Sequence, residues 1–124
     1  MTNQHGLRTQ RRKLLFYLDI VDQDTYQSLG HLGDISKEGI MIIAEKRIPF
    51  ENVKRIKIQL PDFEEFTKKY IEAEVEKRWA KPDDNHPNWY RIGCRFIKLN
   101  EEDWPTIEQV KEVLGLNTTL SYYS

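Results

Sequence analysis

Residues 71–96, "IEAEVEKRWAKPDDNHPNWYRIGCRF", hold the clearest period-two pattern in the chain. Ile71, Ala73, Val75, Lys77 and Trp79 alternate with Glu72, Glu74, Glu76 and Arg78. Beyond "KPDDNHPN", Tyr90, Ile92, Cys94 and Phe96 alternate in the same way. Successive side chains on a strand point to opposite faces, so each run has one apolar face and one polar face. Proline, asparagine and aspartate cluster where the chain must reverse. The segment predicts a β-hairpin, and the rest of the chain is read outward from it.

Upstream, "LLFYLDIV" at 14–21 sets Leu14, Phe16, Leu18 and Ile20 on one side, which predicts a half-buried first strand. "DQDT" at 22–25 reads as a turn, and 26–35 as a returning strand weakened by Gly30 and Gly33. "GIMIIA" at 39–44 is a short β-branched run, fitting a buried strand better than a helix. Ile56, Ile58 and Leu60 alternate with Arg55, Lys57 and Gln59 in a fourth strand that stops at Pro61. The spacing of Phe63, Phe66 and Tyr70 fits either a short helix or a packing loop. Downstream, Asn100 followed by Glu101, Glu102 and Asp103 is a helix start, with acids near the positive end of the helix dipole. Ile107, Val110 and Leu114 form its apolar stripe, Gly115 ends it, and Pro105 falls in the first turn. Five or six short strands followed by one helix predict an antiparallel barrel closed or flanked by that helix.

At 124 residues the chain is long enough for one domain with a proper core. A basic arm at 1–13, a barrel with its helix at 14–116 and a tail at 117–124 divide the sequence. A net charge of -1 argues against a long nucleic-acid track or a polybasic membrane surface. The positive charge is concentrated: Arg8, Arg11, Arg12 and Lys13 precede the first acidic residue, and the remainder is acid-rich. The single cysteine, Cys94, cannot form an internal disulfide, nothing near Met1 resembles a signal peptide, and no apolar run is long enough to span a bilayer. A cytoplasmic protein is expected.

Two short motifs carry the chemistry. Arg8-x-x-x-Arg12 lies just before the first predicted strand, and "GDISKEG" at 33–39 lies at the end of the second. Asp34 and Ser36, two apart on a strand, point to one face, while Gly39 permits an unusual backbone geometry or close approach of another group. Alone, Asp-x-Ser-x-x-Gly is also ordinary turn chemistry, in which Asp and Ser bond their own backbone. A hairpin formed by the first two strands would return Asp34 to the end of the barrel from which the arginines depart.

This pairing resembles the PilZ domain family, receptors for cyclic di-GMP, whose signature is RxxxR followed by [DN]xSxxG. "YRIGCRFIKLNEED" at 90–103 is similar to the family's (I/V)GxxF stretch before its closing helix. The resemblance implies a six-stranded antiparallel PilZ-type β-barrel with a C-terminal α-helix and a flexible N-terminal arm. It implies cyclic di-GMP as ligand, held by Arg8, Arg12, Asp34, Ser36 and Gly39, with Arg11 as an additional cation. The residue types suit that ligand. A guanidinium grips phosphate oxygens, reads guanine O6 and N7, or stacks on a base. An ionised aspartate accepts hydrogen bonds from guanine N1-H and N2, a pair of donors adenine lacks. Leu7, rather than a further cation, precedes Arg8 and leans toward one bound molecule instead of a stacked pair.

Other residues attract more ordinary readings. His5, His31 and His86 have no ligand-like spacing, so no metal site is expected. Cys94 is read as core, Trp79, Trp89 and Trp104 as core and helix docking, and Glu72, Glu74 and Glu76 as a solvated face that repels a nucleic-acid backbone. No triad, paired-carboxylate or Walker-type arrangement occurs, and an enzyme is not expected. The expected role is a stand-alone receptor that signals to an output protein, with no cofactor and no nucleic-acid polymer as partner. The rivals are an adaptor of the same fold that does not use the nucleotide, and a small barrel for single-stranded nucleic acid.

Overall fold

The computed structural model describes residues 18–47 and 49–114. Six strands run in the order β1 (Asp19–Asp22), β2 (Ser28–Ile35), β3 (Gly39–Ala44), β4 (Val53–Gln59), β5 (Tyr70–Pro82) and β6 (Tyr90–Leu99). A 3-10 turn, Glu101–Asp103, leads into helix α1, Trp104–Leu114. Every pairing is antiparallel, and the strands close into a barrel in the order β1-β2-β3-β6-β5-β4. Among the described residues each strand has a neighbour on both sides, so closure removes the open sheet edge that could recruit another chain.

The interior is built from β-branched residues that face one another across neighbouring strands. Ile58 on β4 stands opposite both Ile20 on β1 and Ile71 on β5. Ile40 and Ile42 on β3 stand opposite Ile35 and Leu32 on β2, and opposite Cys94 and Ile92 on β6. All of these isoleucines are inaccessible to solvent, and each contributes about 1.5–3 kcal/mol by leaving water. Helix α1 adds Ile107, Val110 and Val113 to the same core, while the side chain of Leu114 lies outside the described residues.

The first strand departs from expectation. It begins at Asp19 and includes Asp22, which was assigned to the turn, while residues 14–17 lie outside the described residues. Leu18 and Ile20 do face inward. Asp22 stays in the strand because β1 pairs on both sides, with β2 and with β4, and its partner on β4 is Ile56. The hairpin of β5 and β6 is longer than its alternation suggested, since irregularities at Glu74/Val75 and Lys77/Trp79 reset the pattern midway. Segment 61–69 has no regular helix. It is a loop that tucks Phe66 into the core, with Phe63 packed beside it.

The helix start is also more elaborate than predicted. Asn100 caps the 3-10 turn, its side chain accepting from the Glu102 amide at 3.3 Å. Asp103 is only 2% exposed, and Lys68 donates to its Oδ1 at 2.5 Å. That carboxylate ties the 61–69 loop to the helix entrance. It is not simply a surface charge facing the helix dipole.

Candidate ligand site at the turn between β2 and β3

The polar motif occupies the turn joining β2 to β3. Gly33 sits at a bulge between Leu32 and Asp34, where a Cβ would come within 2.8 Å of Met41 Cε and 2.9 Å of Ile43 Cγ1. The bulge changes the simple alternation along β2. Leu32, Asp34 and Ile35 are all buried, and Asp34 is 3% exposed. Its Oδ1 accepts from the Ile35 amide at 2.8 Å.

Ser36 leaves the strand and makes the turn itself. Its amide donates to the Gly39 carbonyl at 2.9 Å, and its Oγ accepts from the Glu38 amide at 3.1 Å. Both motif side chains therefore brace local backbone, the behaviour their residue types favour in any turn. Gly39 opens β3, yet among the described residues the positive-φ glycine is Gly30. Gly39 thus shows no left-handed backbone conformation.

The turn is fastened to β6. The Glu38 carbonyl accepts from the Phe96 amide at 2.8 Å, and Gly39 pairs with Arg95. The 33–39 motif and the Ile92, Gly93 and Phe96 stretch, more than fifty positions apart in sequence, are thus joined by hydrogen bonds. Sequence reading had found the two without joining them. Arg95 in turn donates to Glu76 Oε1 at 2.9 Å, and this bond holds the Glu76 carboxyl below its ordinary pKa.

The strand face bearing Glu72, Glu74 and Glu76 is less repulsive than expected. Glu76 also lies 3.5 Å from Arg78, and Glu72 lies 3.9 Å from Lys57. Arg78 shares this face in the sequence pattern, whereas Lys57 and Arg95 come to it from neighbouring strands.

The tryptophans depart from the core reading as well. Trp79 and Trp89 are half-buried, Trp79 against Gly93 and Trp89 with its ring centroid 5.7 Å from that of His31. Trp104 is 40% exposed and lies beside the motif turn, with Lys37 Nζ 5.5 Å from its ring centroid. Only its position as the first residue of the helix could have hinted at this. Cys94, by contrast, is wholly buried, and burial pushes its thiol up to about 12.

The structure brings Asp34, Ser36 and Gly39 together at one corner of the barrel. Arg8, Arg11 and Arg12 lie outside the described residues. Two surface depressions of about 560 and 320 Å³ lie elsewhere, lined by residues such as Arg55 and Ile97 in one and His31 and Trp89 in the other. Among the described residues no three His, Cys, Asp or Glu side chains are grouped to hold a metal. No helix among them is long and apolar enough to cross a membrane.

The described residues thus form a closed antiparallel barrel with a helix packed on its core and a polar turn pinned to β6. The PilZ domain model matches residues 7–113, and the chain belongs to the PilZ domain family. PilZ domains are regulatory receptor and adaptor domains in cyclic di-GMP signalling. The matched span runs from the basic leader through both motifs into α1. Among solved structures, the chain is similar to the Bacillus subtilis inhibitor of motility (MotI/DgrA), with 19% identity and a TM-score of 0.61. The match covers 77% of this chain and 45% of that one, so this chain spans less than half the length of its neighbour. No curated protein matches the chain.

Proposed function

We propose that this domain is a cyclic di-GMP receptor that clasps the nucleotide between its basic leader and the turn after β2, and signals to a partner protein. The observation that supports this most directly is a complete pair of motifs whose acidic half is folded and fastened to β6. Arg8 and Arg12 grip phosphate and guanine acceptors, Asp34 accepts from the guanine N1-H and N2 donors, and Ser36 donates to a phosphate or base oxygen. Gly39 lets the ligand approach the backbone, and Arg11 and Lys13 add charge.

Closure of residues 1–13 over the bound nucleotide changes the surface that the partner reads, a local ordering event with a global readout. The energies are compatible with this. Charge-assisted hydrogen bonds contribute roughly 1.5–3 kcal/mol each, against about 1–2 kcal/mol for each residue ordered. Micromolar binding requires only about 8 kcal/mol in total. Leu7 before Arg8, in place of a further cation, favours one nucleotide over a stacked pair. Inhibition of motility, the role that names the Bacillus neighbour, is one output such an adaptor can serve.

A second reading is an adaptor of this fold that does not use the nucleotide. It is favoured by the local bonds of Asp34 and Ser36, which account for the turn without any ligand. Calorimetry with cyclic di-GMP, and cyclic di-AMP as control, separates the two. The receptor binds the first and not the second, whereas the adaptor binds neither.

A further inference from the structure

We propose that Trp104 is a nucleobase-stacking platform at the rim of this site, and that Lys37 leaves its ring to face the phosphates when the nucleotide arrives. The proposal rests on the receptor reading above. It adds a contact that neither the arginine motif nor the Asp-x-Ser-x-x-Gly motif contains.

Helix α1 is anchored by Ile107, Val110 and Val113, which are buried at 0%, 0% and 8% exposure, whereas Trp104 at its start remains 40% exposed. Leaving so large an apolar ring in water forgoes burial energy that docking would have recovered. Its position gives it a use. Lys37, whose ammonium lies 5.5 Å from the ring centroid, stands between Ser36 and Gly39 in the motif turn. Three residues of chain reach at most about 10 Å, so that reach, one lysine side chain and the 5.5 Å gap to the ring set the upper limit on the separation of Asp34 and the indole. A guanine held by Asp34 and a second guanine of the same ligand can both be served from this corner.

Lys37 over the ring is an exposed cation–π contact, which is weak and readily exchanged. Stacking a base on an aromatic ring is stronger and needs no particular hydrogen-bond pattern. Exchange leaves the ammonium beside an incoming anion. One movement thus exposes a stacking surface and supplies a counter-charge.

The test is calorimetric titration of the full chain with cyclic di-GMP, comparing wild type with Trp104→Ala, Trp104→Phe, Lys37→Ala and Arg12→Ala. Trp104→Ala is expected to weaken binding by about 5- to 150-fold, the range for loss of one base stack, with stoichiometry unchanged. Trp104→Phe keeps most of the affinity, and Lys37→Ala reduces the salt dependence of binding. Nucleotide quenches tryptophan emission in wild type, and the quench is largely lost in Trp104→Phe, a readout that survives if the alanine variant folds poorly. If wild type binds, Arg12→Ala abolishes binding and Trp104→Ala stays within about twofold of wild type, the stacking proposal is overturned and the receptor reading stands. If wild type itself does not bind, the receptor reading fails and takes this proposal with it.

Discussion

The indole of Trp79 fills the space that any side chain at position 93 would need. The two residues are directly paired across β5 and β6, and a Cβ on Gly93 would come within 2.2 Å of Cε2 and 2.4 Å of Nε1. Such contacts force the ring or the strand to shift. Gly93→Ala is therefore expected to lose about 1–3 kcal/mol, measured as a lower urea midpoint at unchanged slope. Adding Trp79→Leu should recover part of that loss, because the clash is pairwise. Equal midpoints for Gly93→Ala and wild type would contradict this reading.

Asp22 links three segments. Its Oδ2 accepts from Lys54 Nζ at 2.9 Å, and its Oδ1 accepts from the amides of Asp24 at 2.8 Å and Thr25 at 3.3 Å. The bond from Lys54 does most to hold its carboxyl below the ordinary value, with the Asp24 amide next. A carboxylate whose pKa is lowered by folding stabilises the protein above its unfolded pKa, and that contribution disappears as pH falls through the folded value. Acid titration should thus show stability falling below about pH 4. Asp22→Asn should be less stable near neutrality and show a shallower acid slope, and a parallel slope would remove Asp22 as the cause. Asp22→Ala, which also loses the turn, should cost about 1–3 kcal/mol.

Cys94 is buried opposite Ile40, and a thiol pushed up to about 12 by burial has almost no thiolate at neutral pH. Thiol reagents should modify the native protein only as fast as it opens globally, and immediately in denaturant. Fast native labelling at pH 8 would show that this part of β6 opens locally.

The motif turn separates two kinds of variant. Ser36→Ala removes the bond from the Glu38 amide and should cost stability by about 1 kcal/mol, besides weakening cyclic di-GMP binding. Arg8→Ala and Arg12→Ala should abolish binding or weaken it strongly while leaving the barrel's melting temperature unchanged. Asp34→Ala should do both, since its carboxylate is buried and bonded to the Ile35 amide. Unaltered titrations for all of Arg8→Ala, Arg12→Ala and Asp34→Ala would refute the proposed site.

Hydrogen exchange tests the mechanism. Saturating cyclic di-GMP is expected to slow exchange in residues 1–13 and at the amides of the turn after β2. Unchanged exchange in the leader would refute closure even if binding is confirmed.

Much of the fold was legible in local patterns because strand periodicity is written residue by residue. The alternation from Ile71 to Val75 and from Ile92 to Phe96, and the unbroken "GIMIIA" run, marked β5, β6 and β3 with no knowledge of their neighbours. The two halves of the PilZ signature were equally plain, since they are short, ordered and complete. Pattern alone misjudged whatever depended on a second segment. Asp103 read only as an acid near the helix dipole until Lys68 was placed beside it, and the glutamates of β5 had no cation from another strand until Lys57 and Arg95 came into range.

The amino-acid sequence by itself determined the strand content, the apolar faces, the helix and the family. These follow from backbone periodicity and residue type within a few positions. Only the tertiary structure decided that β1 closes the barrel against β4, that the motif turn is pinned by the Phe96 amide, and that Trp104 stands exposed beside Lys37. Those outcomes depend on which distant groups become neighbours, and no local pattern encodes a partner that is dozens of residues away.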